Sequence, residues 1–271
     1  MKKLASNVWL TLFGLSVVVP LLWVAMSSLK KGADILASPW SLPTQPQWSN
    51  YASAWQQAEF SRFFLNSLIA STATLLILLP VGSMAAYVLA RYPFRGSKLV
   101  RGVFLFGMMF PNFLAIVPLY LLMSQLGLTD SLVGLVLVYV AYSLSFTIFV
   151  MGGFFEALPG ELAEAAMMDG CGHHATFWKV MLPLARPGLV VTGIFNGIGL
   201  WNEYNLAKVL VQKQEVMTLP LGLARLTATQ FYQSDWGALF AGLVIVMVPV
   251  LVIYWFFKEK VQDAMLAGAI K

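Results

Sequence analysis

The chain is 271 residues long, 59% hydrophobic and 11% charged, with a formal net charge of +5. Soluble domains carry about 25% charged residues, so a water-soluble globular protein is excluded, and a mean hydropathy of +0.77 points to one embedded in lipid. Cys171 is the single cysteine, which excludes a disulfide framework and a cysteine-rich metal site.

A helix that crosses a bilayer core needs about 20 predominantly apolar residues. Charge-free runs of that order occupy 4–29, 63–90, 102–129, 131–155 and 236–257, and a shorter one, 187–202, ends at Glu203. The expectation is an all-α integral membrane protein of six transmembrane helices, one domain over 1–271. Helix 1 is expected at about 6–28. Lys2 and Lys3 imitate a signal peptide, but the apolar run is long enough to span and Met26-Ser27-Ser28 is a poor cleavage site, so it reads as an uncleaved span. A loop at about 30–62 follows. Pro39, Pro43 and Pro46 disfavour continuous helix there, and Trp40, Trp48 and Trp55 suit either the headgroup level or a partner.

Helix 2, at about 64–89, contains Pro80, and a short turn from Arg91 to Lys98 leads to helix 3 at about 101–124. Pro111 and Pro118 lie inside helix 3, which a membrane helix tolerates where neighbours re-satisfy the freed carbonyls. A tight connection, Gly127 to Ser131, precedes helix 4 at about 131–155. A polar loop at about 156–186 comes next. In it Pro159-Gly160 reads as a turn and Glu161 to Asp169 as a short helix with acids at its positive end. Gly170 reads as the left-handed residue that closes this helix, and about 174–182 as a second short helix ending near Pro183. Helix 5 is expected from near Pro187 to about Leu206, a further loop at about 208–236, helix 6 at about 238–257, and a tail from Lys258.

The basic residues divide unevenly across these spans. Eleven (Lys2, Lys3, Arg91, Arg95, Lys98, Arg101, Lys179, Arg186, Lys258, Lys260, Lys271) fall on one side and six (Lys30, Lys31, Arg62, Lys208, Lys213, Arg225) on the other. The positive-inside rule then places both termini and the 156–186 loop in the cytoplasm, with 30–62 and 208–236 outside. The basic balance is read as topology and not as a nucleic-acid surface.

Within the cytoplasmic loop, Glu164-Ala165-Ala166, three residues, Gly170, nine residues, Val180, one residue and Leu182-Pro183 form a spaced pattern. It resembles the EAA loop of permease subunits in ATP-binding-cassette importers, with Val180 in place of the usual Ile. Further stretches resemble the maltose-type carbohydrate-uptake group, specifically its shorter six-helix subunit. These are Ala85 to Arg91 followed by Phe94-Arg95-Gly96, then Trp201-Asn202-Glu203-Tyr204, then the tail Ala267 to Lys271.

The resemblance implies a permease subunit, not an enzyme, in the cytoplasmic membrane of a bacterium or archaeon. It implies that Glu164, Ala165, Ala166, Asp169, Gly170, Leu182 and Pro183 couple the chain to a cytosolic ATPase dimer. ATP and Mg2+ are expected on that partner, since no G-x-x-x-x-G-K-[ST] phosphate loop is present here. The other implied partners are a second permease subunit and an extracytoplasmic solute-binding protein. A sugar or oligosaccharide is the expected solute; glycerol phosphate, a polyol or a polyamine fits the same architecture. A secondary transporter would need acids or His at mid-membrane, which five of the six spans lack.

Asn202 and Glu203, near the outer end of helix 5, are candidates for a pore or gate, with bonding to backbone or a neighbouring helix as the alternative. Asn112 and Asn196 suit either the pore or interhelical hydrogen bonds. His173 and His174 are adjacent, so they point apart on a helix and lack the partners of a metal site.

Overall fold

The computed structural model describes residues 2–57, 59–233 and 235–269. Ile270 and Lys271 of the tail motif, and the side chain of Asn112, lie outside the described residues. The helices in chain order are α1 Lys2–Ser27, α2 Gly32–Ala37, α3 Ser49–Ala52, α4 Phe60–Arg91, α5 Ser97–Met109, α6 Ile116–Gln125 and α7 Leu132–Ala157. They continue as α8 Glu161–Met168, α9 His173–Thr176, α10 Leu182–Leu184, α11 Arg186–Trp201, α12 Asn205–Leu210, α13 Leu219–Gln233 and α14 Trp236–Ala269. Among the described residues no strand occurs. Among the described residues four helices are long and apolar enough to cross a membrane: Ser6–Ser27 of α1, α4, α7 and Trp236–Glu259 of α14. Two sharply bent helix pairs bring the number to six when each pair counts as one span.

Helix 3, expected as one span bent by its interior prolines, is one of those pairs, broken more sharply than a bend. Ser97–Met109 and Phe113–Gln125 meet at 93°. The residue before a proline is pushed out of the helical region, and Phe110, before Pro111, is extended at φ −69°, ψ 128°. A single 3-10 turn, Asn112–Ala115, then restarts the helix. Helix 5 is also shorter than expected. It stops at Trp201, turns through Asn202 to Tyr204, and resumes as α12. The region 208–236 is not an irregular loop, since the fifteen-residue α13 fills half of it, and α14 carries the tail on as helix to Ala269.

The chain divides into two compact units. The first comprises residues 1–65 and 217–251. There the proline-rich stretch after α1 folds back on the end of that helix. Trp23 donates its indole N–H to the carbonyl of Pro39 (2.9 Å), and Asn50 donates to the carbonyls of Ser28 and Lys30, both at 2.8 Å. Lys30, counted above only as a topological charge, is 3% exposed. Its ammonium is satisfied by Ser38 O (2.9 Å), Pro39 O (3.2 Å) and Ser41 Oγ (3.1 Å). A buried charge is tolerable only with such partners.

The second unit comprises residues 66–216 and 252–271. In it α11 lies against α7 so closely that a Cβ on Gly188 would stand 2.6 Å from the ring of Phe154. Asn196 of α11 donates to Thr147 Oγ1 of α7 (3.0 Å), which is the interhelical use expected of a buried amide. Arg101 of α5 pairs with Glu156 of α7 at 2.6 Å. Asp130, left-handed at φ 52°, accepts from the backbone N–H groups of Gln212 (2.5 Å) and Lys213 (2.8 Å), tying the α6–α7 connection to the segment after α12. Asp adopts that conformation more readily than most residues because its short side chain bonds locally.

Candidate functional site

The spaced motif forms a helical knob, α8 to α10, on the end of α7 and running directly into α11. Gly160 precedes α8, with Glu161 and Glu164 in the first turn, where unpaired N–H groups and the helix dipole favour negative charge. At the other end Gly170 is left-handed at φ 87°. Its N–H bonds to Met167 O (3.0 Å) and that of Cys171 to Ala166 O (3.0 Å), the paired bonds of a Schellman closure. A residue with a Cβ is strained there, which explains a glycine at this position. Asp169 caps the helix, its N–H bonded to Ala165 O at 2.9 Å.

α9, a π-helical turn over Phe177–Met181, and α10 continue as one helical run, which meets α11 at 74°. One face of the knob is anchored. Phe177 and Met181 are buried with Tyr87 of α4 and Ile148, Met151 and Phe155 of α7, while Ala163, Val180 and Leu182 pack around them. The ring of Phe177 stands 5.2 Å from that of Tyr87 and 6.2 Å from that of Phe155. Tyr92, just past α4, exchanges a hydrogen bond with His173 Nδ1 at 2.9 Å. Arg91, the last residue of α4, donates to the carbonyl oxygens of Phe155 (2.6 Å) and Leu158 at the end of α7.

The opposite face is open. Glu161, Leu162, Glu164, Ala165, Asp169 and Pro183 are exposed, and Met168 is 87% exposed. Ala166 is turned inward at 7% exposure, so its small size serves the chain's own packing, while Glu164 and Ala165 stay on the free surface. The seven motif residues are thus gathered in one knob, some holding it down and some presented outward.

Asn202 and Glu203 stand in the turn between α11 and α12. Asn202 is exposed and bonds back to Ile198 O (2.8 Å). Glu203 accepts from Tyr139 Oη of α7 (2.8 Å) and, as a cap on α12, from the N–H groups of Leu206 (2.7 Å) and Ala207 (3.1 Å). This is the backbone-and-neighbour bonding held open as the alternative to a gate. Glu203 also borders an open cavity of about 580 Å3 among α6, α7, α11 and α12. Sequence reasoning missed Arg91 and Tyr139. Arg91 was read as a positive charge near a span end and as the end of the Ala85 to Arg91 stretch, with no partner assigned to it, and Tyr139 was one aromatic in an apolar run.

Apolar spans with a helical knob docked on the ends of two of them define a multi-span membrane protein. The chain belongs to the family of binding-protein-dependent transport system inner membrane components, which matches residues 78–260. It is 43% identical to the diacetylchitobiose uptake system permease protein NgcG of Streptomyces coelicolor, over 98% of this chain and 88% of that one. It is 32% identical to the trehalose transport system permease protein SugB of Mycobacterium tuberculosis, over 94% and 92%. Among solved structures, a chain of a bacterial ABC transporter involved in import of the acidic polysaccharide alginate superposes with a TM-score of 0.84 over 95% of each chain at 24% identity, a likeness of fold.

Proposed function

We propose that this chain is the six-span subunit of an ATP-driven, binding-protein-dependent sugar importer, and that the α8–α10 knob is where an ATPase grips it. The observation that carries this reading is the two-faced knob. One face is locked to α4 and α7 by Phe177, Met181 and Arg91; the other offers Glu164, Ala165 and Met168 to a partner. Methionine is enriched at interfaces and adapts its shape to a partner. Glu164 supplies a charge that sets register with a basic partner group.

In this reading the knob lies in the cytoplasm, with both termini on the same side. Two cytosolic ATPase subunits bind ATP and Mg2+ and close. They pull on the knobs of this chain and of a second permease subunit. Because the knob is packed on α4 and α7 and covalently continuous with α7 and α11, its displacement moves those three helices together. The pore then opens alternately outward, to a liganded solute-binding protein, and inward. This chain contributes no hydrolytic chemistry of its own. The solute is a sugar or oligosaccharide, which the names of the relatives support, and the membrane is the bacterial or archaeal cytoplasmic membrane.

The test is reconstitution of the assembled transporter in liposomes with ATP inside and binding protein outside. Uptake of diacetylchitobiose or trehalose that requires both supports the reading. Gly170→Asp and Glu164→Lys are expected to insert normally and lose uptake. Uptake that proceeds without ATP contradicts it.

A further inference from the structure

The cavity beside Glu203 lies wholly within the second unit and has no part in the coupling argument. We infer that it is where this chain itself contacts the transported solute, and that it takes an uncharged saccharide. This rests on the importer reading above and adds to it a site and a ligand chemistry.

The size fits. About 580 Å3 falls within the roughly 300–1,000 Å3 of small-molecule sites. The lining is of two kinds. Tyr142 and Phe146 of α7 and Phe195 of α11 supply aromatic rings, with Phe146 and Phe195 6.3 Å apart and inclined at 63°. A sugar presents an apolar C–H face that packs on such rings. Ser143, Asn196 and Asn205 add neutral hydroxyl and amide groups, which match sugar hydroxyls. Asn196 is held in place by bonds to Thr147 Oγ1 and Thr192 O, so its amide is presented in a fixed orientation.

The charges select among solutes. Among the described residues no Lys, Arg or His lines the cavity, and Glu203 is its one ionisable carboxylate. A glycerol phosphate or a uronate would meet a carboxylate and no cation. A polyamine would find that carboxylate already bonded to Tyr139, Leu206 and Ala207. A neutral sugar meets neither obstacle.

The experiment uses the assembled transporter with Cys171→Ser and Ser143→Cys in this chain. Alkylation at position 143 is followed with a small maleimide, with and without diacetylchitobiose, trehalose or an alginate oligosaccharide. Either neutral sugar is expected to slow labelling about fivefold when present at about four times its Kd; the alginate oligosaccharide is expected to leave the rate unchanged. Phe195→Leu, which keeps apolar volume and removes the ring, gives a reading independent of the thiol. It is expected to lower sugar uptake about five- to tenfold, the scale of one lost aromatic contact. A transporter that imports the sugar while labelling and Phe195→Leu uptake stay unchanged overturns the cavity assignment alone. Protection by alginate in place of neutral sugar overturns the ligand chemistry. Absence of any sugar uptake by the unsubstituted transporter overturns the sugar reading on which both depend.

Discussion

The guanidinium of Arg91 donates to the carbonyl oxygen of Phe155 across 2.6 Å, so the last residue of α4 holds the last turn of α7. Helix ends leave carbonyls without intrahelical partners, and a cation there satisfies both the bond and the dipole. The same guanidinium reaches Leu158 O, just past the end of α7, so one side chain joins two spans where the chain leaves them for the knob.

Arg91→Ala is therefore expected to lower the melting temperature of the assembled transporter and to reduce sugar uptake more than ATPase capture. Loss of charge-assisted bonds to two carbonyls costs about 1.5–3 kcal/mol each at most. Both bonds leave from one guanidinium nitrogen, so Arg91→Lys, which keeps a charged donor on a shorter and more flexible stem, should recover part of the loss. Thermal unfolding and uptake measured on the same preparations decide this; unchanged values in Arg91→Ala would remove the residue from the coupling path.

Gly170→Ala places a Cβ at φ 87°. The left-handed conformation costs a residue with a Cβ about 1–2 kcal/mol. Hydrogen exchange should report faster opening at the amides of Gly170 and Cys171, whose bonds close α8, while the spans keep their protection. Equal exchange in parent and variant would mean that the closure does not depend on glycine.

Met168→Asp tests the free face. At 87% exposure Met168 contributes little to the chain's own stability, so the change should stay within the about 0.5 kcal/mol typical of surface substitutions and the melting temperature should barely move. Co-purification of the ATPase should fall, because a charge replaces an apolar contact. An ATPase that co-purifies in full amount would place its contact elsewhere.

Glu203→Ala removes the acceptor for Tyr139 Oη and for two backbone N–H groups of α12. Each donor left buried and unpaired costs about 1–3 kcal/mol, so the variant should assemble poorly and melt early. Glu203→Gln keeps an acceptor oxygen and should retain more stability. A Glu203→Ala chain that melts like the parent but conducts abnormally would make Glu203 a gate and not a cap.

Much of this was legible from residues alone. Long charge-free runs do not depend on tertiary context, so α1, α4, α7 and α14 fall where hydropathy puts them. The turn at Gly170 could also be read, because only backbone stereochemistry demands it. The break at Pro111 was half legible: proline announces a bend, but whether the chain kinks or restarts through a 3-10 turn depends on its neighbours. Lys30 and Glu203 were misweighed or left open for one reason. A charge near a span end looks the same in sequence whether it faces water or is buried among partners that only the folded chain brings to it, as Ser38, Pro39 and Ser41 are brought to Lys30 and Tyr139 to Glu203. Arg91 hid in the same way, its partners lying 64 and 67 residues on.

The central claim is that the outward face of the α8–α10 knob touches an ATPase. Cross-linking tests it most directly. Met168→Cys in a Cys171→Ser background, in membranes holding the full transporter, is treated with a short bifunctional thiol and amine reagent. A covalent product containing this chain and the ATPase, lost when Gly170→Asp is added, is the predicted result. Complete labelling of the engineered thiol by a small maleimide, with no such product, would contradict the account.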